Sequence, residues 1–126
     1  MTTSKASTEQ LIERMKSARG YVYPAHQYIA EADPDFLEVY NNLAGAALLH
    51  EGHDDGTHAL PAKYREMVVC AVLAYRGSVE GVATHAKRAI ALGATEQELF
   101  EAFQATMIPG GAPTFLAGVR ALMSLK

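Results

Sequence analysis

The punctuation of this chain constrains its fold more than any other feature. Residues that start and stop helices recur about one helix length apart, whereas runs of alternating β-branched and polar residues with hairpin turns are hard to find, so the sequence reads as all-α. Ser7 followed by Gln10 has the pattern of a capping box opening a helix that runs to Gly20. Residues 21–31 read as a Pro-interrupted aromatic stretch, after which Asp33 and Pro34 supply an N-cap and a first-position proline for a helix to about Leu49. The polar, Gly-broken segment from His50 to Ala59 suits a surface connection. Pro61 then starts a helix from Ala62 to Arg76, closed by Gly77, and Ser78 is the natural N-cap of the next, which ends at Gly93. Thr95 to Glu98 forms a capping box for a helix to about Ile108, and Pro109 to Pro113 breaks the chain before a last helix, Thr114 to Leu125.

A chain of 126 residues with 49% hydrophobic residues has room and material for a single domain, 1–126, around one core. Its formal net charge of −3 gives no electrostatic footprint for nucleic acid or an anionic membrane, so neither is expected as a partner. The longest apolar run, Met67 to Tyr75, is about half of a membrane span, and the polar start Met1 to Lys5 has no apolar signal core behind it. The expected location is therefore cytoplasmic. The single cysteine, Cys70, excludes an intrachain disulfide, a CxxC redox pair and a cysteine-rich zinc site.

Two clusters invite a chemical reading and have a plainer one. His50, His53 and His58 lie beside Asp54 and Asp55, a serviceable ligand set for zinc, nickel or iron. A polar loop does not preset ligand geometry, so no metal is expected. Tyr21, Tyr23, His26 and Tyr28 could line a pocket, although packing or an oligomer contact accounts for them as well.

The sharper pattern runs from Glu66 to His85. Glu66 and Cys70 are four positions apart and share a helix face, while Ser78, Gly81 and His85 share a face of the following helix. A carboxylate inside the apolar run Met67 to Leu73 is costly to bury unless a donor meets it, and His85 is the donor that two short-linked helices bring within range. The plainer alternative pairs Glu66 with Lys63, Arg65 or another surface cation and leaves His85 as a structural histidine.

The segments Leu60 to Glu66, Ser78 to Ala89 and Leu92 to Leu99 resemble the carboxymuconolactone decarboxylase and alkylhydroperoxidase D superfamily, over the C-terminal two thirds of the chain. In the peroxidase branch a glutamate is followed after eleven residues by a cysteine, after two more by a second cysteine, and after three more by a histidine. Glu66 and His85 match the ends of that signature, and the two thiol positions fall on Ser78 and Gly81. Neither can form or resolve a sulfenic acid or an active disulfide. The decarboxylase branch also lacks the thiols, although its typical members carry a basic residue where Glu66 stands. The resemblance implies a compact multi-helix alkylhydroperoxidase D-like fold assembled as a homotrimer or homohexamer. It further implies a cofactor-free lyase, decarboxylase or isomerase acting on a small carboxylated lactone or related acid of aromatic catabolism. In that reading Glu66 and His85 are catalytic and Ser78, Gly81 and Cys70 border the substrate, with Gly81 leaving space beside the acid and base pair. The alternatives are a non-enzymatic helical oligomer that binds a small ligand and a thiol-dependent peroxidase acting through Cys70.

Overall fold

A computed structural model of the chain describes residues 5–50 and 52–126, without the side chains of residues 5 and 6. The polar start at residues 1–4 and Glu51 of the loop lie outside the described residues. The described residues form seven helices and no strands: α1 (Lys5–Arg19), α2 (Pro24–Ala32), α3 (Pro34–Leu48), α4 (Ala62–Tyr75), α5 (Val79–Ala91), α6 (Glu96–Ala105) and α7 (Met107–Ser124). They divide into two compact units, Met1–His58 and Ala59–Lys126.

The first unit packs α1, α2 and α3 around Leu11, Met15, Ala30 and Leu37. Helix α1 begins before Ser7, which therefore lies inside the helix and does not cap it; Gly20, at φ +84°, ends the helix in the left-handed region that glycine enters freely. Helix α2 departs from the sequence expectation. Pro24 occupies the first helical turn, where its missing N–H is no loss, so the proline starts a helix instead of interrupting one. The Tyr23 N–H donates to Nδ1 of His26 at 3.0 Å and is thereby satisfied. Burial, with the Arg19 charge in support, lowers the pKa of that imidazole and favours its neutral form, and the Tyr23 N–H selects the tautomer in which Nδ1 accepts. Asp33 opens α3 as its sequence position predicts, accepting the Phe36 N–H at 3.1 Å.

In the second unit α4 packs most extensively on α5, and α7 packs against α4, α5 and α6. The caps follow the sequence. Ser78 Oγ accepts the Gly81 N–H at 3.2 Å, and Thr95 and Glu98 exchange reciprocal bonds of 2.9 and 3.0 Å at the head of α6. The Pro- and Gly-rich stretch before the last helix is less disruptive than its composition suggests. Helical turns continue on both sides, and the backbone departs from helix at Gly111 alone, with φ +74° and ψ −177°. That kink is a glycine position on steric grounds.

Small residues let the core of this unit close tightly: Ala74, Ala86, Ala89, Ala117 and Ala121 surround Leu99 and Phe103. Gly118 is the tightest of these approaches, because a Cβ there would overlap the Phe103 ring, which is itself fully buried. Replacing Gly118 by alanine should destabilise the protein by about 1 to 3 kcal/mol, the usual cost of overpacking a closed core. Urea denaturation measures this, and an unchanged midpoint would show that the Phe103 ring can yield.

Candidate functional site

Helix α4 turns Glu66, Cys70 and Ala74 inward, one helical row at steps of four, and α5 answers with Val82, His85, Ala86 and Ala89. Between these rows His85 Nδ1 lies 2.6 Å from Glu66 Oε2. The pair that the spacing predicts is therefore formed. Glu66 is 0% exposed and the His85 side chain 11%, so the carboxylate is sealed and the imidazole keeps an edge toward its surroundings. At this distance Nδ1–H donates to the carboxylate in a charge-assisted bond, which fixes the ring orientation. The second carboxylate oxygen, Oε1, is buried and has no hydrogen-bond partner among the described residues. A buried acceptor in that state carries a desolvation cost that the fold bears.

The other residues that the sequence assigned to this site are placed differently. Cys70 lies in the core at 0% exposure with its Sγ 3.8 Å from the Val82 carbonyl, so it offers no surface to a substrate. Burial, reinforced by the charge of Glu66, pushes its thiol up to about 12, far from the thiolate that peroxide chemistry needs. Ser78 is half-buried and its oxygen is engaged in the α5 cap; two helical turns, about 10 Å along the axis, separate it from His85. Gly81 does not open a cavity. A Cβ there would lie 2.7 Å from Ser78 Oγ and 3.2 Å from Leu73 Cδ1, so neighbouring side chains fill the space that the missing side chain vacates. The glycine serves the close approach of α5 to Leu73.

Sequence reasoning passed over the groove that this unit does carry. It has a volume of about 390 Å³ and is lined by Ala71, Val72 and Tyr75 of α4 and by Thr106, Gly110 and Thr114 near the α7 kink. These α4 residues lie on the face turned away from Glu66, Cys70 and Ala74. Its one sequence signal is a pair of threonines flanking a Pro- and Gly-rich break. Tyr64, Val68, Val72 and Tyr75 are exposed along the same side of α4. Among the described residues no group of three or more His, Cys, Asp or Glu side chains is arranged to hold a metal, the loop histidines included.

The model of the carboxymuconolactone decarboxylase family matches residues 34–123, and the chain belongs to that family. A crystal structure of a Burkholderia xenovorans LB400 protein, provisionally designated a carboxymuconolactone decarboxylase, superposes with a TM-score of 0.78. At 24% identity it covers 98% of this chain and 93% of its own, a likeness that shows the fold. No curated protein sequence matches the chain significantly.

The site geometry makes a stability prediction. His85→Ala should cost about 3 to 5 kcal/mol in chemical denaturation, since it leaves the Glu66 carboxylate buried without its partner. Glu66→Gln, which removes the charge along with the pair, should cost clearly less. Equal and small losses in both would mean that the carboxylate reaches water.

Proposed function

We propose that this chain is a cofactor-free carboxy-lyase or isomerase acting on a small carboxylated lactone or related acid, of the kind met in aromatic catabolism, through proton transfer by His85. The observation that carries the reading is the buried 2.6 Å contact between His85 and Glu66 with one carboxylate oxygen left over. In a decarboxylation the carbon–carbon bond to the carboxylate breaks, carbon dioxide leaves, and the electron pair moves into the carbonyl of the lactone. His85 Nε2 then delivers a proton to the carbon that was vacated, while Glu66 holds the ring and balances the charge that the imidazole gains and loses. An isomerisation would use the same pair twice, first as base and then as acid. The Ser78 hydroxyl hydrogen is able to hold a substrate carboxylate only if the substrate spans the two turns between Ser78 and His85.

Family membership supports this reading. The burial of Cys70 argues against peroxide reduction by a thiolate. A non-enzymatic ligand-binding oligomer, with Glu66 and His85 as a structural pair, is the second reading, and the filled space at Gly81 favours it.

The proposal includes assembly as a homotrimer or homohexamer in the cytoplasm. No helix among the described residues is long and apolar enough to cross a membrane. The exposed apolar row on α4, with Val68 and Val72 more than half exposed, is the kind of surface that a further copy of the chain would cover.

Turnover on carboxylated lactones and β-keto acids, followed by release of carbon dioxide, tests the reaction. Glu66→Gln should lower it by roughly 10² to 10⁴-fold in folded protein, the range for loss of positioned proton transfer, and Cys70→Ser should leave it unchanged. Full activity in Glu66→Gln would rule out the catalytic assignment and leave the structural pair. Light scattering tests the assembly: the parent should exceed monomer mass at micromolar concentration and Val72→Lys should reduce it, whereas a monomeric parent would remove the oligomer from the proposal.

A further inference from the structure

The first unit carries a polar centre that the chemistry of Glu66 and His85 does not use. Arg19, in the last turn of α1, is only 2% exposed. No carboxylate among the described residues lies within ion-pair distance of it. Its Nη2 donates to Asn41 Oδ1 at 2.7 Å, its guanidinium carbon lies 5.4 Å from the Tyr21 ring centroid, and its Nε is buried without a hydrogen-bond partner. A buried cation held by a neutral amide and an aromatic ring is incompletely compensated, and its field projects past the amide.

The same bond orients Asn41. With Oδ1 turned to the guanidinium, the amide NH₂ is the donor on the opposite side. Asn41 lines a cleft of about 210 Å³ in this unit together with Arg14, Asn42, His50 and His53. Two backbone devices bring the imidazoles there. Leu49 takes φ 56° and ψ 51°, the one positive φ outside glycine among the described residues, and the turn carries His50 inward to 4% exposure. Gly45 lets the His53 ring lie against bare backbone, since a Cβ would sit 3.1 Å from its Cδ2. A left-handed leucine is sterically unfavourable and persists where the surrounding structure holds it.

The cleft is thus walled by a guanidinium, two amides and two imidazoles, with a second guanidinium behind Asn41. Among the described residues no carboxylate lines it. Glu38, 3.2 Å from Arg14, is more than half exposed, so solvent screens its charge. A metal cation would meet two positive charges here. We propose that this cleft binds a small oxyanion, a carboxylate or a phosphate, through the Arg14 guanidinium and the Asn41 amide, beside the two imidazoles of its wall. Its volume falls below the usual 300 to 1,000 Å³ or so of pockets for larger ligands and suits an anion of a few heavy atoms.

The test is NMR of the His50 and His53 imidazoles in the full chain at fixed pH and ionic strength, titrated with sodium succinate, sodium phosphate and, as the reference, sodium chloride. Saturable shifts at millimolar concentration or below are expected with one or both oxyanions; succinate alone identifies a carboxylate site, and phosphate alone a phosphate site. Asn41→Asp should weaken binding by at least tenfold, because it sets a negative charge in the cleft. The thermal midpoint should hold or rise in that variant, since the new carboxylate meets Arg19. Arg14→Gln should weaken binding several-fold. Shifts no larger than those with chloride would overturn the proposal, as would undiminished binding in both variants.

Discussion

The second unit depends on one contact, the 2.6 Å bond between a sealed carboxylate and an imidazole. Glu66 is fully buried, and a carboxylate in that position destabilises the fold unless its donor is in place. The register of α5 against α4 is therefore restricted to one in which His85 meets Glu66. The local devices around the pair serve that register: Gly77 turns the chain at φ +76°, Ser78 caps α5, and Gly81 allows the helix to settle on Leu73. The residues in the middle of the family signature act here as backbone geometry, where the peroxidase branch has redox chemistry.

That substitution also decides what the site can do. With Ser78 in a cap and Gly81 packed, no thiol stands beside the pair, and the one thiol of the chain is raised out of reach of ionisation by burial and by the neighbouring Glu66. What remains is a buried carboxylate and imidazole pair with one oxygen unpartnered among the described residues. The proposed proton transfer to carbon rests on this pair and on the family to which the chain belongs.

The two units handle buried charge in opposite ways. Glu66 is neutralised by a side chain opposite it, whereas Arg19 meets only an amide oxygen and a ring. The first arrangement closes a core, and the second leaves a positive field at the wall of a cleft. Leu49, in its left-handed conformation, belongs to the second arrangement, because it sets the direction in which His50 enters.

The sequence by itself determined the all-helical class and most helix ends, because caps and breakers act through local backbone chemistry: Asp33, Ser78, Thr95 and Gly93 are read correctly within a few residues of chain. It also offered His85 as the partner of Glu66 beside the alternative of a surface cation such as Lys63 or Arg65, because the cost of a lone buried carboxylate is legible without coordinates, and the fold decided for His85. Where a local signal had two meanings the reading failed. Pro24 starts a helix instead of breaking one, Ser7 lies inside a helix, and the run from Pro109 to Pro113 bends at Gly111 alone. Only the tertiary structure decided that Gly81 is filled by its neighbours, that Cys70 has no surface, and that Arg19 is buried beside Asn41. These outcomes depend on which atoms of distant segments share a volume, and neither periodicity nor capping carries that information.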